Sequence, residues 1–82
     1  MAYQGWKNWA TWNVALWVGN DEPIYRAMRN LMPYTAQKAQ RFVEAIYPNG
    51  TPDMQTARRT FPAYVGENAV DWEAIADDFN EE

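Results

Sequence analysis

Four of the five tryptophans in this chain fall within residues 6–17, in the run W-K-N-W-A-T-W-N-V-A-L-W. Asn8 is well placed to cap a helix, because its side-chain oxygen can accept from the unpaired amides of the first turn. Gly19 suits the position just past a helix end, where a left-handed backbone costs glycine least. These two signals predict a helix over residues 9–18. Apolar side chains surround it almost completely, which is typical of a helix at the centre of a domain.

The tryptophans of this predicted central helix can supply much of a small core. A buried tryptophan removes on the order of 150–250 Å² from water, so we expect the indole rings to lie inside. In an alternative interpretation, Trp6 or Trp9 belongs to an exposed patch that binds a partner, since aromatic residues are enriched at interface hot spots. Asn13 is a polar exception. We expect it on the one open face of the helix, and the alternative is a buried amide that needs partners.

Further amphipathic segments follow, each with its own start and stop signals. The pattern predicts an all-α fold, a compact bundle of four or five short helices around the tryptophan-rich central helix. The residues predicted to cap the later helices are Asn20 or Asp21, Thr35, Thr51, and Asn68 or Asp71. The predicted core comprises Trp9, Trp12, Leu16, Trp17, Phe42, Ile46, Trp72, Ile75 and Phe79, joined by Met28, Leu31, Phe61, Tyr64 and Val65.

Composition narrows the chemistry that the chain can perform. At 82 residues, 48% of them hydrophobic and 16% aromatic, we expect a single domain over residues 1–82 in which bulky side chains compensate for the short length. There is no cysteine and no histidine, so a disulfide framework, a thiolate zinc site and a histidine general base are excluded. No cofactor or metal is expected. No apolar run approaches the roughly 20 residues of a membrane span, and the N-terminus does not resemble a signal peptide, so we expect a cytoplasmic protein.

Charge is divided unevenly along the chain. Residues 1–66 contain all seven basic residues and four acidic ones, whereas residues 67–82 contain seven acidic residues and no basic one. The net charge of −4 therefore combines a mildly basic body with a strongly acidic end. The acidic residues fall on a predicted amphipathic helix rather than in a glycine-containing loop, which argues against a calcium site. Adjacent Asp77 and Asp78 point about 100° apart on a helix and do not form a tight catalytic pair.

Two segments resemble those of a known group of proteins. The run from Asn8 to Asp21 matches the box N-x-x-T-W-x-V-x-L-W-x-x-N-D, and the run from Val70 to Ala76 matches V-D-W-x-x-I-A. Both are similar to segments of small, uncharacterised proteins of bacteriophages and bacteria. The resemblance implies a phage-type origin and a compact domain, and it brings no catalytic residues. The chain departs from this group at Trp9, where tyrosine is common.

Exclusion of the usual catalytic groups favours a role in binding. We expect a small accessory protein that binds a host protein, and inhibits or redirects it, without catalysis of its own. The last helix could dock on a basic surface through its acidic side chains and an edge formed by Trp72 and Phe79. The candidate partner-binding residues are Asp71, Glu73, Asp77, Asp78, Arg58 and Arg59.

Three alternatives to host-protein binding remain open at this stage. A nucleic-acid-binding module could use the basic face of residues 26–59, including Arg26 and Arg29, although the acidic end opposes binding to phosphates. The arginines of the body could instead pair with the acids of residues 67–82 in surface ion pairs of about 0–1 kcal/mol each. A homodimer through exposed aromatic side chains is the third.

Overall fold

A computed structural model describes residues 5–60 and 69–81, without the side chains of Arg59 and Thr60. The predicted inward side chains of Phe61, Tyr64 and Val65 therefore lie outside the described residues. The described part contains five α-helices and no β-strand, so the predicted all-α class is confirmed, and the molecule measures 35 × 23 × 21 Å. The helices are α1 (Trp9–Asn20), α2 (Glu22–Asn30), α3 (Ala36–Ile46), α4 (Pro52–Thr60) and α5 (Trp72–Glu81).

Short-range hydrogen bonds begin all five helices. In each case a side-chain oxygen accepts from the backbone amide three residues later, at donor–acceptor distances of 3.0–3.2 Å. This geometry satisfies one of the amides that lack a partner inside the helix. The capping residues are Asn8, Asp21, Thr35, Thr51 and Asp71, all of which the sequence suggests.

The prediction that Gly19 ends α1 is wrong. The helix continues through Asn20, and Asp21 follows it in an extended conformation (φ −104°, ψ 109°). Asp21 at once caps α2 by accepting from the amide of Ile24. Because the chain leaves α1 directly into the next cap, no left-handed residue is needed there. Gly50 does adopt a positive φ of 87°, in the predicted turn before α4.

The small residues of α1 form its buried face. Ala10, Val14 and Val18 are no more than 2% exposed. Helix α1 packs against both α2 and α5. The prediction that the tryptophans form the core is therefore wrong in part, because the indole rings of Trp9, Trp12 and Trp17 are only partly buried. Small side chains let helices approach closely, whereas the larger indoles keep part of their surface accessible to solvent. Partly buried residues that still pack against the core include Trp6, Trp9, Phe42 and Trp72.

Two leucines predicted to be in the core lie at the surface. Leu16 is 36% exposed and Leu31 is 48% exposed. Leu16 lies in α1, and Leu31 comes just after α2 has ended. Ile46 is also only partly buried, at the last position of α3. Helical periodicity predicts which residues share a face of a helix. It does not show which face a neighbouring helix covers.

The best-buried aromatic group lies between α3 and α5, which pack extensively on one another. Phe79 is 1% exposed, and its ring meets those of Tyr34 and Phe42 edge to face at 5.0 and 6.1 Å. The Tyr34 hydroxyl donates to the carbonyl of Met28 at 2.8 Å. Asn80 holds the backbone of Tyr34 at both ends, accepting from its amide at 2.6 Å and donating to its carbonyl at 2.9 Å. This group fixes the orientation of α5 and hence of its acidic residues.

Candidate functional site

The outer face of α5 carries a row of exposed carboxylates. Ile75, Ala76 and Phe79 are buried, which turns Glu73, Asp77 and Glu81 outward at i, i+4 and i+8. Positions spaced by four residues lie on one side of a helix. None of these three side chains makes a hydrogen bond or an ion pair with another described residue. We call these three residues the α5 acidic face. It presents negative charge directly to solvent.

The other predicted acidic residues on this helix have different surroundings. Asp71 is half-buried and caps α5, accepting from the amide of Ala74 at 3.2 Å, while its own amide donates to the hydroxyl of Thr11 at 2.9 Å. It therefore ties the start of α5 to α1. Asp78 is also half-buried. Only Glu73 and Asp77 of the predicted acidic set are exposed, and Glu81 is exposed beside them.

The predicted apolar edge beside these acids is not available for docking. Phe79 is 1% exposed, so its predicted place in the core is confirmed, and its suggested use at a partner-binding edge is wrong. Trp72 is half-buried and lines a cavity of about 270 Å³ between α1, α3 and α4. The walls of this cavity combine apolar and polar surface, and Glu44 and Arg58 are among the lining residues.

Three basic side chains of the body have partners nearby in the sequence. Arg26 pairs with Glu22 one turn earlier at 3.1 Å, with both side chains at least 70% exposed. Lys38 donates to the carbonyls of Leu31 and Pro33, the latter at 2.9 Å, and Arg58 donates to the carbonyl of Asn49. Among pairs in which both side chains are described, no ion pair joins the body to α5. The side chain of Arg59 lies outside the described residues.

A polar network that the sequence analysis missed joins α1 to α4. Asn13 is 1% exposed, so its predicted place on an open face is wrong. Its Nδ2 donates to Oδ2 of Asp53 at 2.8 Å, and its Oδ1 accepts from the buried hydroxyl of Thr51. The same Asp53 oxygen accepts from Nε1 of Trp17 at 2.9 Å. An asparagine inside an otherwise apolar helix was the available signal, but its partners lie some 40 residues away.

Two of these donors stabilise the charged form of Asp53. Hydrogen bonds from Asn13 and then from Trp17 lower the pKa of its carboxyl below the ordinary 3.8, outweighing the opposing effect of burial. A folded-state pKa below the unfolded value adds stability that is complete above the unfolded pKa. This contribution is lost as the pH falls through the folded value, that is, below 3.8.

Asp53→Asn should therefore flatten the acid side of the stability profile. Asparagine keeps an acceptor for Trp17 or Asn13 but has no charge to lose on acidification. Urea unfolding of both proteins between about pH 2 and pH 6 brackets the ordinary carboxylate range. We expect the difference between wild type and variant to shrink as the pH drops below 3.8. Parallel loss of stability in the two proteins would contradict this assignment.

Neither a metal site nor a membrane span is found in the part of the chain that the structure describes. No group of three or more acidic residues there is arranged to hold a metal ion. No described helix has the length and apolar character that crossing a bilayer requires.

Comparison with known proteins places the chain in a family. The model of a family of unknown function, DUF7249, matches residues 1–81, and the chain belongs to that family. No curated protein matches the sequence, and no solved structure matches the fold. The family assignment agrees with the resemblance to uncharacterised proteins and carries no activity with it.

Proposed function

We propose that this member of the DUF7249 family is a phage-type accessory protein that acts by binding a host protein and has no catalysis of its own. The α5 acidic face is the contact surface. One observation carries the proposal: Glu73, Asp77 and Glu81 are exposed on one side of a helix whose other side is locked into the core, and no described basic side chain forms an ion pair with them. A row of unpaired charges held in fixed positions is more typical of a binding surface than of side chains with a structural role.

The chemistry of this face defines the partner. Three carboxylates on a rigid helix complement a basic protein surface, including one that otherwise holds nucleic acid. Occupying such a surface would inhibit or redirect the host protein. Charge complementarity of this kind raises association rates and is screened by salt. The complex should therefore form readily at low ionic strength and weaken as salt is added.

Affinity capture with charge-matched variants tests this proposal. The immobilised chain is exposed to host lysate at low salt, and retained proteins are eluted with increasing salt and identified by mass spectrometry. Glu73→Gln with Asp77→Asn removes two charges from the face. Glu22→Gln with Glu44→Gln removes two exposed charges elsewhere. We expect the first pair of changes to abolish retention of a specific basic protein and the second pair to preserve it.

Two results would reject the α5 acidic face as the contact. Either no protein is retained by the wild-type chain, or both charge-matched variants retain the same protein equally well.

Nucleic-acid binding by the basic face of residues 26–59 is the alternative function. It has less support because Arg26, Lys38 and Arg58 each have a local partner within the chain. A low-salt gel shift with short DNA and RNA that disappears in Arg58→Ala with Arg59→Ala would favour this alternative instead.

A further inference from the structure

The end of α1 borders a surface recess that none of the preceding proposals uses. It encloses about 260 Å³ and is lined by Leu16, Trp17, Asn20 and Asp21. We call it the Trp17 recess. It lies on α1 and the α1–α2 junction, whereas the α5 acidic face lies on another helix. Its walls combine an indole ring, a carboxylate and an exposed leucine.

The indole wall of this recess is held in place from two sides. The Nε1 of Trp17 donates to Asp53 at 2.9 Å. The ring of Tyr47 packs against the indole edge to face, with centroids 6.3 Å apart and an interplanar angle of 71°. A ring fixed in this way presents the same surface to every ligand, so binding does not have to immobilise it. Tryptophan is the side chain whose ring face attracts cations most strongly.

The electrostatics of the recess favour a positive guest. Asp21 lines it and uses one carboxylate oxygen, Oδ1, to cap α2. The C-terminal end of α1 adds the negative pole of that helix, and the Asp21 carboxylate offsets the positive pole at the start of α2, which it caps. Burial, and then the negative charge of Asp21, raise the pKa of the neighbouring Tyr47 hydroxyl. No basic residue is among the described residues that line the recess.

We propose that the Trp17 recess binds the lysine or arginine side chain of a partner polypeptide. The cationic group lies over the indole of Trp17 and against the free oxygen of Asp21. Leu16, which is 36% exposed, contacts an apolar side chain next to the basic residue. The guest is thus a basic residue with an apolar neighbour. The inference does not depend on the α5 acidic face and survives if that face proves inert.

Nuclear magnetic resonance titration provides a direct test. The probe is the acetylated and amidated tetrapeptide Gly-Leu-Arg-Gly. Two peptides serve for comparison: Gly-Leu-Gln-Gly, which lacks the charge, and Gly-Ser-Arg-Gly, which lacks the apolar neighbour. Putrescine tests a small free cation. The signals followed are the indole N–H of Trp17 and the side-chain amide of Asn20. We expect saturable shifts with millimolar Kd for the first peptide, several-fold weaker binding of the serine peptide and of putrescine, and none for the glutamine peptide.

Three variants separate the recess from general surface charge. Asp21→Asn removes the charge but keeps a good helix cap, and should weaken binding several-fold. Asn20→Lys places a competing cation at the rim of the recess, at a helix C-terminus where a lysine is tolerated, and should abolish binding. Glu73→Gln removes an exposed charge on α5 and should leave the Kd unchanged.

The proposal is overturned if the probe shifts carboxylate-bearing residues over the whole surface alike. Equal weakening by Asp21→Asn and Glu73→Gln would overturn it too, as would shifts at Trp17 that fail to saturate. If putrescine bound as tightly as the tetrapeptide, the ligand of the recess would not be a polypeptide. Circular dichroism of each variant establishes that it is folded before its Kd is compared.

Discussion

Replacing Phe79 by Ala is expected to lower the free energy of unfolding by about 3–5 kcal/mol, the usual range for removing a buried phenylalanine ring. The side chain is 1% exposed and meets Tyr34 and Phe42 edge to face. Its removal leaves a cavity where α3 packs on α5 and takes away both ring contacts. Small domains are stable by only about 5–15 kcal/mol, so the variant should be partly unfolded at modest urea concentrations.

Urea unfolding followed by far-ultraviolet circular dichroism measures this loss, and Leu16→Ala is the informative control. Sequence periodicity predicts Leu16 in the core as firmly as Phe79, whereas the structure leaves it 36% exposed. Loss of a partly exposed leucine should cost much less than loss of the buried ring. If Leu16→Ala proved as damaging as Phe79→Ala, the described orientation of α1 would be incorrect.

The second large effect is expected at Asn13, where replacement by Ala should cost about 1–3 kcal/mol, the penalty for leaving buried polar groups without partners. The change removes a donor from Asp53 and an acceptor from the fully buried hydroxyl of Thr51. Among the described side chains of α4, Met54 is the buried apolar one, so α4 depends heavily on this network. Its detachment from α1 is the expected structural consequence.

Equilibrium unfolding again provides the measurement, with Asn20→Ala as the matched control. Asn20 is exposed near the end of the same helix, and such surface changes usually stay within about 0.5 kcal/mol. A double-mutant cycle with Asp53→Ala isolates the pair: contacting residues typically couple by about 0.5–3 kcal/mol. Fully additive losses would mean that the hydrogen bond between Asn13 and Asp53 contributes nothing.

The α5 acidic face shows how much of a candidate site the local sequence pattern can predict. The seven acids of residues 67–82 are visible in the sequence, and helical spacing places Glu73 and Asp77 on one side. What the pattern left open is whether Phe79 serves the core or a partner-binding edge and whether Asn68 or Asp71 caps the helix; the structure buries Phe79 and makes Asp71 the cap. Those outcomes depend on α3 and α1, which pack against α5 from distant parts of the chain.

The Trp17 recess was out of reach for the same reason. Trp17 and Asp21 are close in sequence, but Tyr47 and Asp53, which fix the indole, come from the end of α3 and the start of α4. Nothing in the spacing of these residues predicts that they meet. Loop closure between helices, rather than helix periodicity, brings them together.

The sequence by itself determined where helices begin and which class of fold they build. Caps such as Asn8, Thr35 and Thr51 act over three residues, so the physics that makes them work is contained in a short window. Only the tertiary structure decided which helix faces are covered. It placed small Ala10 and Val14 inside, left Leu16 outside and buried Asn13 among partners some 40 residues away. Burial depends on neighbours that the chain brings together only on folding, and the local sequence pattern does not identify those neighbours.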